Sequence, residues 1–172
     1  MRKTMSAVAA CILAIGSLAV AQEKDTTALN SRKAPDFSLN TPDGKALRLS
    51  DQKGKVVLLD LWATWCPPCR KSLPHLQSMS VNKDLADKGL VVWAVNQQET
   101  PEVVREFVRT NSYSFTVLMD ADGKMGQSYL VRGIPTTVIV GRDGTVSSVF
   151  IGFGDGSAKQ LDDAVEKALA QK

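Results

Sequence analysis

Cys66 and Cys69, with only Pro67 and Pro68 between them, stand where an apolar run gives way to a helical pattern. Val56 to Leu61 is almost continuously apolar, the mark of a strand buried on both faces of a sheet. Pro67 suits the first turn of a helix, where its missing N–H leaves no extra carbonyl unpaired. A Cys-x-x-Cys pair on a strand-to-helix turn favours thiol–disulfide chemistry over metal binding. One short stretch thus demands a buried strand, a tight turn and a helix, and the rest of the chain must cover that strand.

The flanking sequence supplies the cover. Ala34 to Leu39 alternates toward a strand, Thr41-Pro42-Asp43-Gly44 is a turn, and Ala46 to Leu49 returns as a hairpin arm. Ser50 to Lys55 reads as loop. The helix opened by Pro67 extends to about Asn82, with Leu73, Leu76 and Met79 on its inner face and Pro74 expected to kink it. Leu90 to Val95 is a second buried strand. Thr100 and Pro101 are N-cap and first residue of a helix reaching Thr110. Phe115 to Met119 is a strand, Asp120 to Gly123 a turn and Lys124 to Tyr129 a short helix. Thr136 to Val140 and Val146 to Ile151 flank the hairpin turn Arg142-Asp143-Gly144. Ser157 is expected to cap a last helix carrying Leu161, Val165 and Leu169. Strand and helix alternate before a closing hairpin, so the class is α/β with a mixed sheet.

Composition narrows the setting. A chain of 172 residues, 44% apolar and 23% charged, suits one domain with an ordinary core. Met1 to Ala21 carries Arg2 and Lys3, then no charge up to Gln22, and ends Ala19-Val20-Ala21. This reads as a secretory signal peptide over residues 1–21, with an uncleaved membrane tether as the alternative. Residues 22–33, polar and without apolar periodicity, read as a mobile linker, leaving 34–172 as the folded domain. Setting aside Arg2 and Lys3 from the 21 basic residues leaves 19 against 18 acids, and no basic stripe suggests nucleic acid. Cys11 leaves with the signal, so two cysteines remain in an oxidising compartment, periplasmic or secreted.

The pair itself is tuned by its position. Unpaired N–H groups and the positive dipole end at a helix N-terminus favour the Cys66 thiolate by up to about 2 kcal/mol. Cys69 lies one turn down the same face and is expected to be less exposed. Mid-helix neighbours at this spacing hold Cβ atoms ~5–6 Å apart, whereas a disulfide wants ~3.5–4.5 Å, so the closed bond should stay reducible. A zinc half-site would need two more Cys or His ligands, and His75 is the only histidine.

These residues resemble the thioredoxin superfamily and, within it, the extracytoplasmic TlpA/ResA-like thiol–disulfide oxidoreductases. The resemblance rests on Ala34-Pro35-Asp36-Phe37, the hairpin, the stretch from Val57 through Trp62-Ala63-Thr64-Trp65 to Cys69, and Gly133-Ile134-Pro135-Thr136-Thr137. It implies a thioredoxin-like fold: a central mixed sheet flanked by helices, with an N-terminal β-hairpin extension. It implies Cys66 as attacking thiolate, Cys69 as resolving thiol, Pro135 in cis, and Trp65, Pro67, Ile134 and Pro135 as the substrate-binding rim. Asp60 matches the buried aspartate of thioredoxins and would take the Cys69 proton; a carboxylate reaching the sheet edge or bonded to a nearby donor is the alternative. Trp62 is either a second aromatic shoulder or core. Arg70 adds positive field or is simply solvated, and Glu99 with Gln97 and Gln98 lines a groove or belongs to a surface loop.

The implied function is reduction of disulfides in extracytoplasmic proteins, with electrons from a membrane donor of the CcdA/DsbD type and no cofactor or metal. Ser72 stands where several ResA-like members carry glutamate, and Thr136 where the haem-maturation branch carries an acid. Both departures count against a dedicated role in cytochrome c biogenesis. Two other functions compete. A peroxiredoxin-like peroxidase wants threonine three residues before its cysteine, and Thr64 is two before Cys66. A metal or haem chaperone would use the dithiol as a soft ligand.

Overall fold

A computed structural model of the chain describes residues 26–171; the expected signal segment 1–21 lies outside the described residues. The elements are β1 (Ser38–Asn40), β2 (Ala46–Arg48), β3 (Val56–Trp62), α1 (Pro67–Ser80), α2 (Lys83–Asp87), β4 (Leu90–Gln97) and α3 (Pro101–Thr110). After them come β5 (Thr116–Asp120), α4 (Lys124–Ser128), β6 (Thr136–Val140), β7 (Val146–Ile151) and α5 (Ser157–Ala170). Short 3-10 turns occupy Thr26–Leu29 and Leu49–Gln52.

The strands form one mixed sheet in the order β2-β1-β5-β4-β3-β6-β7. β3 pairs in parallel with β4 from Val56↔Leu90 to Trp62↔Asn96, and antiparallel with β6 from Val57↔Val140 to Leu61↔Thr136. All seven β3 residues are buried, as its unbroken apolar run requires. Strand alternation divides them between two cores. Val56, Leu58 and Trp62 pack with Leu73 and Leu76 of α1, Val104 of α3, and Leu161 and Val165 of α5. Val57, Leu59 and Leu61 face Leu29, Met125 and Tyr129 on the other side. The fold is therefore the expected α/β sandwich of helices around a mixed sheet.

The N-terminal hairpin extends the sheet at one edge, as expected: β1 pairs with β5 at Asn40↔Met119, and the Tyr129 hydroxyl donates to the Pro35 carbonyl at 2.8 Å. Other local expectations change. The expected mobile linker is packed from Thr26 onward: Thr26 and Leu29 are buried, Ser31 N–H donates to the Val146 carbonyl, and Val146 N–H to the Arg32 carbonyl. A polar segment can dock in this way because β7 offers it free edge groups. The helix expected to reach Asn82 ends at Ser80; Asn82 instead caps α2, its Oδ1 accepting from Leu85 N–H at 3.2 Å. Ser157 is the first residue of α5 rather than its cap, and its hydroxyl accepts from Gly154 N–H. Pro74 lies on the exposed face of α1, which continues through it.

Arg142 closes the end of the sheet where β3 and β4 begin. Its guanidinium donates to the carbonyls of Gly54 (2.8 Å), Lys88 (2.8 Å), Leu169 (3.1 Å) and Gln171 (3.2 Å). One side chain thus ties the entries to β3 and β4 to the last turn of α5. A lysine has no planar fork to reach four acceptors. Arg142→Lys is expected to lower stability by about 2 kcal/mol, read as a shifted urea midpoint; an unchanged midpoint would show that solvent replaces these bonds without cost.

Candidate active site

β3 ends on the turn that presents the cysteines. Cys66 is the N-cap of α1, Pro67 its first residue, and Cys69 N–H donates to Cys66 Sγ at 3.2 Å. The helix N-terminus therefore aims one of its unpaired donors at this sulfur. Cys66 and Cys69 form a disulfide, with Cα atoms 5.3 Å apart. Cys69 falls on the same helical stripe as Leu73 and Leu76 and is fully buried, while Cys66 is 2% exposed. Both cysteines are thus buried in the disulfide form, and the sulfur expected to be open is covered as well.

The Ile134–Pro135 bond is cis, and the Ile134 carbonyl oxygen lies 3.6 Å from Cys66 Sγ. Ile134 sits outside the β6–β7 ladder, whose last bond runs from Gly152 N–H to the Pro135 carbonyl. Of the predicted rim, Trp65 is 68% exposed, Pro67 is exposed and Ile134 is half-buried, whereas Pro135 is buried. Trp62 resolves as core: it is fully buried between Phe107 and Phe115, with centroids at 5.3 and 6.4 Å. The Arg70 guanidinium stacks over the Phe107 ring at 5.7 Å. His75 turns to Asp162 of α5, at 3.0 Å. Among the described residues no group of three or more His, Cys, Asp or Glu is placed to hold a metal.

Sequence reading had left several contacts unassigned. Thr64 N–H donates to Glu99 Oε2 at 2.7 Å, the Thr64 hydroxyl donates to Oε1, and Asn96 Nδ2 donates to Oε2 at 2.7 Å. Glu99 is thus bound to the turn before Cys66 and is not a free surface side chain. Asn96, a polar residue in the apolar β4 run, was the available signal. The departures also find local partners: the Ser72 hydroxyl donates to the Cys69 carbonyl, and that of Thr136 to the Gly133 carbonyl.

Asp60 lies on the helix-facing side of β3, between Leu58 and Trp62, and is 2% exposed. The Thr137 hydroxyl of β6 donates to its Oδ1 at 2.7 Å, while Oδ2 has no hydrogen-bond partner among the described residues. Burial pushes its pKa up to about 7, against a smaller downward pull from Thr137. Of the two sequence readings, the bonded carboxylate describes Oδ1 and the buried, perturbed acid describes the whole group. Between pH ~4 and ~7 the folded state holds a proton that the unfolded chain has released, so stability falls as pH rises through this window. The ionised group costs up to about 4 kcal/mol above pH 7. Asp60→Asn should therefore be more stable than wild type at pH 8 and gain little at pH 4.5, read by urea unfolding of the disulfide form. An advantage independent of pH would remove the buried-carboxylate account.

Comparison with known proteins places this geometry. Residues 31–149 match the AhpC/TSA family. The thioredoxin-like protein YneN of Bacillus subtilis is 38% identical over 133 residues, 76% of each chain. The thiol–disulfide oxidoreductase ResA of the same organism is 36% identical over 119 residues, 69% of this chain and 65% of its own. A candidate thiol:disulfide interchange protein DsbE from Chlorobium tepidum superimposes with a TM-score of 0.76 at 35% identity, covering 82% of this chain and 98% of that one. The family match spans the cysteine-bearing turn, and the relatives agree in sequence and in fold: the chain belongs to the AhpC/TSA family and is a thioredoxin-like thiol–disulfide oxidoreductase of the ResA/DsbE type.

Proposed function

We propose that the protein reduces disulfides in extracytoplasmic proteins, with Cys66 attacking and Cys69 resolving. The observation that carries this reading is the unequal setting of the two sulfurs. Cys66 caps α1 and accepts from Cys69 N–H, whereas Cys69 lies inside the first turn on the stripe it shares with Leu73 and Leu76. The Cys66 thiolate attacks a substrate disulfide, forming a mixed disulfide and expelling one substrate thiolate. Cys69 then loses its proton, attacks Cys66 Sγ and releases the second substrate thiolate, leaving the Cys66–Cys69 disulfide. Two electrons from an external dithiol restore the reduced pair; a membrane donor of the CcdA/DsbD type would supply them.

Asp60 is the proton acceptor for Cys69 in this scheme. It lies on the same face of β3 as the cysteine pair, and a pKa near 7 suits a base at neutral pH. An extended substrate segment would pair with the Ile134 backbone, with Trp65 and Pro67 supplying the apolar rim and the buried Pro135 holding Ile134 in place. Export is supported by the charge pattern of residues 1–21. Among the described residues no helix is long and apolar enough to cross a membrane. The peroxidase alternative is disfavoured by Thr64, whose hydroxyl is given to Glu99.

Cys69→Ser expressed in the native host should accumulate mixed disulfides on Cys66, which diagonal gels and mass spectrometry would identify. Cys66→Ser should accumulate none, and equal trapping by both variants would refute the assignment of roles. Asp60→Asn should slow release of a preformed mixed disulfide about a hundredfold at pH 7, measured by quenched flow. Release at the wild-type rate would remove Asp60 from the chemistry.

A further inference from the structure

The Cys66 turn is held from outside by a carboxylate that the exchange steps do not use. Glu99 accepts from the Thr64 N–H, the Thr64 hydroxyl and the Asn96 amide, occupying both of its oxygens. All three donors are neutral. The chain bends to bring it there: Gln98 takes a left-handed backbone with φ of 59°, and its N–H is fixed by the Asp120 carbonyl. A non-glycine residue in this region is costly and persists where its surroundings impose it. Asn96, fully buried at the end of β4, anchors the other side. Two strands and a strained loop thus converge to set one acidic group against the residue two before Cys66.

We infer that Glu99 is a positioning residue for the cysteine pair: through Thr64 it fixes the turn carrying Cys66, and its charge lowers the pair's reduction potential. The inference rests on Cys66 being the exchanging sulfur. Thr64 and Cys66 Cα atoms are at most about 7.6 Å apart, which places the carboxylate within about 12 Å of the Cys66 backbone. A negative charge at that range disfavours the Cys66 thiolate and hence the reduced pair. It opposes the stabilisation supplied by the helix N-terminus, so the two together set the poise. A pair whose reduced form is less stabilised is the stronger reductant.

The test is equilibration of the full purified chain with glutathione at pH 7, in which two glutathione thiols become glutathione disulfide as Cys66–Cys69 becomes the dithiol. Glu99→Gln keeps the shape and removes the charge. The equilibrium should shift about fivefold toward the dithiol, a potential raised by about 20 mV. Thr64→Val keeps the charge but removes the hydroxyl that offsets it, and should shift the equilibrium the opposite way by about twofold. Opposite signs support the inference, and Thr64→Val stands alone as the test if Glu99→Gln does not fold. A Glu99→Gln equilibrium equal to wild type, or a Thr64→Val shift toward the dithiol, overturns it. Mixed-disulfide trapping with Cys69→Ser reports separately on the exchange reading, so failure here leaves that reading standing and loss of trapping removes both.

Discussion

Burial of β3 on both faces and along both edges is the constraint on which the site depends. With β4 and β6 bonded to it and all seven residues enclosed, the strand has no freedom in register. A slip of one residue would exchange Leu59 and Leu61 with Asp60 and Trp62, driving a carboxylate into the Tyr129 core. Because the register is fixed, the strand's end is fixed too, and Cys66 is delivered to the head of α1 without help from a flexible loop. The same register places Asp60 on the face shared with the cysteines. Strand and chemistry are therefore specified by one pattern of side chains.

The features that could be read in advance are those written locally. The apolar run of β3, the prolines of the Cys66 turn and the Leu73-Leu76-Met79 stripe carry their own periodicity, and each appears where expected. The Pro135 geometry came through the family likeness, since nothing in a single X-Pro pair distinguishes cis from trans. Trp62 and Trp65 show where local reading runs out. Ending the strand at Leu61 left Trp62 undecided, whereas one more residue of alternation puts it beside Leu58 in the core. The contacts that stayed hidden join segments far apart in sequence: Asn40 with Met119, Ser31 with Val146, Asp60 with Thr137 and Thr64 with Glu99. Each needs only an ordinary polar residue, so composition gives no sign of it.

Polar groups in the core are unevenly distributed, and this has an energetic reading. Asp60 Oδ2, Trp62 Nε1, His75 Nε2 and Asn96 Oδ1 are buried without hydrogen-bond partners among the described residues, His75 Nε2 lying 3.0 Å from the Asp162 carboxylate. The other three belong to the last residues of β3 and β4, next to the cysteine turn. Buried unpaired polar atoms each cost about 1–3 kcal/mol, and such costs persist at working sites. The apolar beginnings of the same strands, Val56 to Leu59 and Leu90 to Val95, hold no comparable defect. The sheet is thus cohesive at one end and electrostatically expensive at the other.

Arg142 sits at the cohesive end. By gathering carbonyls from the approaches to β3 and β4 and from the tail of α5, it gives the molecule a keystone remote from its sulfurs. Cohesion and reactivity are then anchored at opposite poles of the strand axis, and each is free to drift under selection without dragging the other. The strand that presents the sulfurs is thus braced from its far end, by bonds that none of the residues around the cysteine turn share.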